Sequence, residues 1–356
     1  MRKRFGLAAL AALFFASAPV LAQNAPPFLP PAPANTKLVR LLAYPEYFDP
    51  AVLERFEKET GYAVAYDAYQ PSDVIADHWR EGPYDLVLLS GPALAHRIAA
   101  GALLRLDRAK LPGARLVQPL VASKLVRFDP AGAYAVALGW SPFGLIYDAG
   151  EIGSRPAPSS WADLFGGRET SRYEACGIVI PDARDDLFLA AWRELNIDPS
   201  RANLNEVKLA ATLLTRAKAA ARTFAAADIV SPLARGGACL SAGTVSEAQA
   251  AAARSALGGG AARPIRFVYA REGGPVGIDA LAIPRDAPHP EQAYALLEFL
   301  LRPAIAVAAA ASAGVYSAES PAELEPLKKL WPEGAFDAKI ESAVETEWAH
   351  LRAAKK

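Results

Sequence analysis

The sequence predicts an α/β protein with two lobes and a cleft between them. Between Leu38 and Gly101, short apolar runs alternate with amphipathic segments, a pattern typical of parallel strands joined by helices. A second region of the same kind begins near residue 139. The apolar run 276–284 contains one carboxylate, Asp279, which is costly in a buried strand unless something pairs with it.

The N-terminus predicts an exported protein. Residues 1–22 combine a basic start, an apolar stretch and a small-residue site at Val20-Leu21-Ala22, as in a signal peptide. The alternative, a membrane anchor, is disfavoured because the apolar part is short for a bilayer span. Residues 23–36 are Pro-rich and predict an extended linker. We therefore expect a periplasmic protein that is not embedded in the membrane.

The elements of the first region follow from capping and turn residues. Asp49-Pro50 opens a helix and Gly61 closes it. The pattern predicts strands at 38–42, 62–66 and 85–89 and helices at 50–60, after Pro71 and at 92–101.

The second region gives a similar alternation. It predicts strands at 176–181, 239–243, 265–269 and 276–284, helices at 185–195, 207–221, from 246 and at 291–301, a loop at 258–260, and a helical, polar end from 324. We expect residues 37–139 with 280–323 to form lobe 1, and 140–279 with 324–356 to form lobe 2.

Composition and motifs exclude several functions. The 38 basic and 38 acidic side chains balance, which argues against binding of a nucleic-acid backbone. The four histidines are scattered, without metal-ligand spacing. Nucleophile-elbow, Walker, HExxH and GxGxxG motifs are absent. We therefore predict no enzyme activity, no cofactor and no metal. The even pair Cys176 and Cys239 favours one disulfide in an exported protein, with two separate thiols as the alternative.

The residues that follow predicted strands are mostly acidic. Because ligands of open α/β sheets bind at the carboxyl ends of strands, these positions predict a cleft for a cation. The negative charge of these carboxylates must outweigh the partial positive charge of the helix N-termini, which by themselves favour anions. The acidic candidates are Glu46, Asp182, Asp185, Asp186, Glu247 and Asp279. Ring faces for cation–π contacts are expected from Tyr44, Tyr47, Trp140 and Tyr316.

Structural roles compete with this interpretation. The alternatives are helix capping by Asp182 or Asp185, a favourable helix-dipole contact for Glu247, solvation of Glu46 and Asp186, and core packing of Tyr44 and Trp140. Asp279 has the weakest alternative, because a buried strand offers its carboxylate no helix to cap.

These motifs together resemble the periplasmic spermidine/putrescine-binding proteins, the solute receptors of polyamine ABC importers. The resemblance covers nearly the whole chain after the linker, and the order and spacing of its motifs are specific. They are Tyr-Pro-Glu-Tyr (44–47), Phe-Glu-Lys-Glu-Thr-Gly (56–61), Tyr-Asp-Leu-Val-Leu-Leu-Ser (84–90), Ser-Trp-Ala-Asp-Leu-Phe (160–165), Asp-Ala-Arg-Asp-Asp (182–186), Glu-Gly-Gly (272–274), Asp-Ala-Leu-Ala-Ile-Pro (279–284) and Phe-Leu-Leu-Arg-Pro (299–303).

The resemblance implies a two-lobed solute-binding fold of type II whose lobes close on an amine by a hinge motion. It implies a Cys176–Cys239 disulfide, a monomer and an ABC permease as partner. Asp279 would hold one amino group, and Asp182 with Asp185 or Asp186 another part of the ligand. The remaining implied ligand-binding residues are Tyr44, Glu46, Tyr47, Ser90, Glu247 and Tyr316.

The chain also departs from the family. Tyr44 and Thr244 stand where the family has tryptophans, Gly277 where it has an aromatic residue, and Pro92 where one branch has an aromatic residue. The chain keeps the acidic residues that would hold the amino groups, but it lacks much of the set of aromatic residues that lines the pocket in the family. This predicts a pocket of different shape at which Thr244 replaces a ring, and it leaves the identity of the cationic ligand open.

Two alternatives remain at this point. The same fold could take ferric ion, thiamine or an anion, although the tyrosines are dispersed and acids stand at the helix starts. A protein that presents its ligand to a membrane-bound sensor would use the same closed form as one that delivers it for transport.

Overall fold

The computed structural model describes residues 37–69, 82–257, 261–334 and 336–354. The predicted signal peptide, the linker, the helix after Pro71 and the loop 258–260 lie outside these residues. Within the described ranges, no single helix is long and apolar enough to cross a membrane, and one bent pair, Pro290–Leu300 with Pro303–Ala313, passes that test by length and composition only.

The described elements include most of those that the sequence predicts and several that it does not, such as the long strand Ala135–Asp148. The strands are β1 (Leu38–Ala43), β2 (Ala63–Ala68), β3 (Leu86–Ser90), β4 (Ala135–Asp148), β5 (Ile178–Pro181), β6 (Thr223–Ala226), β7 (Leu240–Thr244), β8 (Ile265–Val268), β9 (Gly274–Ala282), β10 (Tyr316–Ser317) and β11 (Leu330–Pro332). The helices are α1 (Pro50–Thr60), α2 (Gly91–Ala99), α3 (Pro119–Leu125), α4 (Ala149–Ile152), α5 (Ser171–Glu174), α6 (Arg184–Glu194), α7 (Leu204–Ala220), α8 (Val230–Ala234), α9 (Val245–Ala256), α10 (Pro290–Leu300), α11 (Pro303–Ala313), α12 (Leu324–Leu327) and α13 (Ala338–Ala353).

Helix α1 shows why the local predictions succeed. The Asp49 side chain accepts a hydrogen bond from the Ala51 amide, and Pro50 occupies the first turn. Gly61 ends the helix in the left-handed region, at a φ of 72°, where glycine has no Cβ penalty. Start and stop are therefore both encoded locally.

The sheet runs in the order β2-β1-β3-β9-β4-β7-β5-β6. Strands β1, β2 and β3 are parallel, which confirms the prediction from their alternation with helices. Strand β9 returns antiparallel to β3, and β4 antiparallel to β9. On the other side, β7, β5 and β6 are parallel to one another.

Strand β4 links the two halves of the sheet. Its residues 135–142 pair with β9, whereas residues 143–147 pair with β7. Near the start of β7, Cys239 forms a disulfide with Cys176, with Cα atoms 5.5 Å apart. The predicted disulfide is therefore confirmed.

Two main apolar cores lie on either side of this link. The chain passes from one core to the other within residues 140–143, 270–276 and 330–336. The predicted lobe boundaries stay a prediction. Val276 and Leu330, which that prediction assigns to lobe 2, pack in the first core.

The C-terminal part differs from the expected continuous helix. Residues 330–332 form β11, which pairs parallel with the start of β9, because Leu-Trp-Pro is apolar and Pro332 cannot continue a helix.

Candidate functional site

Asp279 lies at the centre of the sheet, in the middle of β9. It is in register with Ser90 on β3 and with Gly139 on β4, so the three positions share one face of the sheet. The Tyr47 hydroxyl donates a hydrogen bond to Asp279 Oδ2 at 3.1 Å. A Cβ at position 139 would lie 2.5 Å from that hydroxyl. Glycine at 139 therefore makes room for the Tyr47–Asp279 contact.

The environment of Asp279 favours its neutral form. Desolvation by burial raises the pKa of this carboxyl to about 7, and the hydrogen bond from Tyr47 opposes the rise only in part. A carboxyl of this kind is half ionised near neutral pH. An ammonium group placed beside it would stabilise the charged form.

Tyr44 and Tyr69 extend the wall around Asp279. The Tyr44 ring centroid lies 6.1 Å from that of Tyr47 and 5.0 Å from that of Tyr69. Burial, followed by the nearby Asp279 carboxylate, raises the pKa of Tyr44 well above its usual value. The structure thus brings Tyr44, Tyr47 and Ser90 to Asp279. Sequence reasoning missed Tyr69.

Across from this group, α6 presents two acids in its first turn. Arg184 Nε lies 2.5 Å from Asp185 Oδ1, and Arg184 Nη2 lies 2.7 Å from Glu341 Oε1. Asp186 differs, because its buried Oδ1 has no hydrogen-bond partner among the described residues. Desolvation, then the charges of neighbouring acids, raises the pKa of Asp186 well above its usual value.

A cavity of about 780 Å³ adjoins these acids. It is lined by Pro92, Ala183, Arg184, Asp185, Asp186, Glu333, Gly334, Trp348 and Arg352. Asp279 does not line the cavity. Its charge nevertheless raises the pKa of Glu333, which does line it. Glu333 therefore connects the cavity electrostatically to Asp279.

Glu333 is a further acid that the sequence analysis did not single out. Desolvation, and then the charges of Asp279 and Asp185, raise its pKa to about 7. A second missed residue is Ser141, whose buried Oγ has no partner among the described residues and which is in register with Gly277. Ser141 lies two positions after Gly139 and on the same face of the strand. It can be recognised as a site residue only once the register of β4 with β9 is known.

Thr244 and Glu247 form a capping box at the start of α9. The Thr244 amide donates to Glu247 Oε2 at 2.7 Å, and the Glu247 amide donates to Thr244 Oγ1 at 3.3 Å. Desolvation raises the pKa of Glu247. The structural alternative for Glu247, a favourable contact at the start of a helix, is thus observed, while its charge still acts on Asp186.

Two predicted acids are engaged elsewhere. Asp182 accepts a hydrogen bond from Trp348 Nε1 at 3.1 Å, and its other oxygen lies 3.4 Å from Arg352 Nη1. Glu46 is exposed, and its carbonyl oxygen accepts from Ser312 Oγ at 3.0 Å. A contact of either side chain with a ligand stays a prediction.

The two remaining aromatic candidates pack on each other. The Trp140 and Tyr316 ring centroids are 4.6 Å apart, and Trp140 is fully buried in the first core. Trp140 is in register with Ile278, so it points to the face opposite Asp279. The core alternative for Trp140 is the one observed. A ligand contact of Tyr316 stays a prediction.

The charges of the site favour a cation. Three helix N-termini approach it, those of α2, α6 and α9, and their dipoles alone would attract an anion. The carboxyl groups of Asp186, Glu333 and Asp279 oppose that preference once a cation ionises them. Among the described residues, no group of three or more histidine, cysteine or acidic side chains is placed to hold a metal ion.

Two lobes that share long crossing strands and an acidic cleft define the architecture of a solute-binding receptor. The chain belongs to the bacterial extracellular solute-binding proteins, whose family model matches residues 51–333. The resemblance proposed from the sequence is thereby confirmed.

Individual relatives and structures agree with this assignment. The chain is 27% identical over 382 aligned residues to the putrescine-binding periplasmic protein SpuD of Pseudomonas aeruginosa, with 100% of both chains covered. It is 29% identical over 310 residues to the spermidine/putrescine-binding periplasmic protein of Escherichia coli, covering 85% of this chain and 84% of the relative. The spermidine/putrescine substrate-binding protein PotD of Streptococcus pneumoniae superposes with a TM-score of 0.78 at 18% identity, covering 88% and 98%. The predicted type II fold is confirmed.

Proposed function

We propose that the protein is a periplasmic receptor that binds a polyamine-like cation between its lobes and delivers it to an ABC permease. The observation that carries the proposal is a cavity lined by Glu333 and Asp186, in which the charge of Asp279 also acts on Glu333. The basic side chains of the adjoining cavity, Arg184 and Arg352, are already paired with other acids. The cleft therefore holds more acidic side chains than its own basic side chains can pair with.

The names of the relatives support the same class of ligand, since those proteins bind putrescine or spermidine. In this proposal, Asp279 accepts a charge-assisted hydrogen bond from one ammonium group, and Asp186 lies where a second cationic group would enter. The proposed receptor is a monomer without catalytic activity, and hinge closure brings the two groups of acids to the two ends of the ligand.

Calorimetry with putrescine, spermidine and longer diamines tests the proposal. We expect Asp279→Asn to weaken amine binding by about 1.5–3 kcal/mol, the value of a hydrogen bond to a charged group. Glu291→Gln is a matched control, since it removes one exposed carboxylate that pairs with Lys110. Absence of binding by every organic cation up to millimolar concentration would refute the polyamine assignment. Equal affinities of the wild type and Asp279→Asn would give Asp279 a structural role.

A further inference from the structure

Gly277 leaves a space on the cleft face of β9 that a carboxylate fills. It lies two residues before Asp279 and is in register with Ser141 on β4. A Cβ at position 277 would lie 3.1 Å from Glu333 Oε1 and 3.2 Å from Glu333 Oε2. This spacing is tighter than ordinary van der Waals contact. A larger side chain at 277 and the present position of the Glu333 carboxylate therefore exclude each other.

The backbone fixes Glu333 at this place. Strand β11 pairs with the start of β9 up to Pro332 and Val276, and the Glu333 amide then donates to the Val276 carbonyl at 3.1 Å. Gly334 follows with a φ of 59°. A Cβ there would lie 2.7 Å from Pro92 Cγ. Both neighbours of Glu333 are thus constrained, which fixes its backbone, and its carboxylate lies over Gly277.

Glu333 also interacts electrostatically with both groups of acids, Asp279 and the pair Asp185 and Asp186. Its carboxylate is acted on by the charges of Asp279 and Asp185, and it acts in turn on Asp186. Its place in the fold agrees with this, because its carboxylate lies over Gly277, two residues before Asp279, and a Cβ at the adjacent Gly334 would lie 3.5 Å from Asp185 Oδ2.

We propose that Glu333 is a specificity-determining residue that selects ligands with a cationic nitrogen between their two terminal ammonium groups. The inference rests on the proposed amine-binding function of the same cleft. An apolar chain that passes Glu333 would remove water from the carboxylate without replacing its hydrogen bonds, which is unfavourable. An internal ammonium group would pair with it. Discrimination of this kind arises from the group left unpaired by the wrong ligand.

Two ligands of equal length test the proposal by calorimetry. Spermidine carries a middle nitrogen, and the octane diamine has a methylene in its place. We expect the wild type to bind spermidine about ten- to hundredfold more tightly, as for one hydrogen bond to a charged group. Glu333→Gln, which keeps the side-chain shape, should bring the ratio of the two affinities close to one. Thermal melting of both proteins confirms that the variant is folded.

Two further variants separate this proposal from the proposed function. Asp279→Asn should weaken both ligands by a similar factor and leave their ratio unchanged. Gly277→Val should lower the ratio although the Glu333 charge remains, because the added side chain displaces the carboxylate. Equal wild-type affinities for the two ligands, or a ratio that Glu333→Gln does not change, would overturn the role of Glu333 alone. Failure of every amine to bind would instead overturn the proposed function.

Discussion

Amine binding should release protons below neutral pH, and its affinity should fall as the pH is lowered. Asp279 and Glu333 both have a pKa raised to about 7, chiefly by desolvation. The ammonium groups of an alkyl amine, with a pKa near that of lysine at about 10, stay charged throughout this range. An ammonium group favours the ionised carboxylate. Protons held by the empty cleft must therefore leave when the ligand enters.

The magnitude follows from the two pKa values. A carboxyl with a pKa of about 7 is about 90% protonated at pH 6 and about 10% protonated at pH 8. If the ligand ionises both groups, binding releases about 1.8 protons at pH 6 and about 0.2 at pH 8. The affinity then falls about tenfold for each carboxyl between pH 8 and pH 6, or about 100-fold for the pair.

Calorimetry in two buffers with different ionisation enthalpies measures this release at each pH. The difference between the two heats, divided by the difference between the buffer enthalpies, is the number of protons released. Glu333→Gln should reduce the release at pH 6 by about one proton, because it removes one of the two carboxyls with a pKa of about 7 and burial alone keeps the Asp279 pKa raised. Equal heats in the two buffers at pH 6, with an affinity that changes less than about threefold from pH 8, would refute the reasoning.

Two predictions concern the frame around the cleft. Replacing Cys176 and Cys239 by serine should lower the free energy of unfolding by about 4 kcal/mol, as chain entropy predicts for a sequence separation of 63 residues. An unchanged urea midpoint would contradict this. Asp182→Ala should cost about 1–3 kcal/mol, because it leaves the buried Trp348 indole without its acceptor. Weaker amine binding without a loss of stability would instead place Asp182 at the ligand.

Local signals explain what the sequence predicts well. Asp49 and Gly61 mark the ends of α1 through their own caps, without help from the rest of the chain. Asp279 stands out in the sequence because a carboxylate in a buried apolar strand is costly unless another group compensates it. In the structure, the hydroxyl of Tyr47 is such a group.

Trp140 and Glu333 show what the sequence does not reveal. Strand β4 is buried almost throughout its length, so no alternation of polar and apolar residues indicates which of its side chains face the cleft. Glu333 lies in the stretch Trp-Pro-Glu-Gly, whose proline and glycine are typical of turns. Its approach to Gly277 depends on the pairing of β11 with β9, which joins segments far apart in the chain.

Missing side chains shape this cleft as much as the charged ones do. Gly139 admits the Tyr47 hydroxyl, and Gly277 admits the Glu333 carboxylate. In each case, a polar group from a distant segment lies close to where a Cβ would be, at Asp279 itself or at the residue two positions before it. The absence of the family's aromatic residue at position 277 therefore replaces one kind of pocket wall by another. Where an aromatic ring would offer an apolar wall to the middle of a ligand, this chain offers a negative charge.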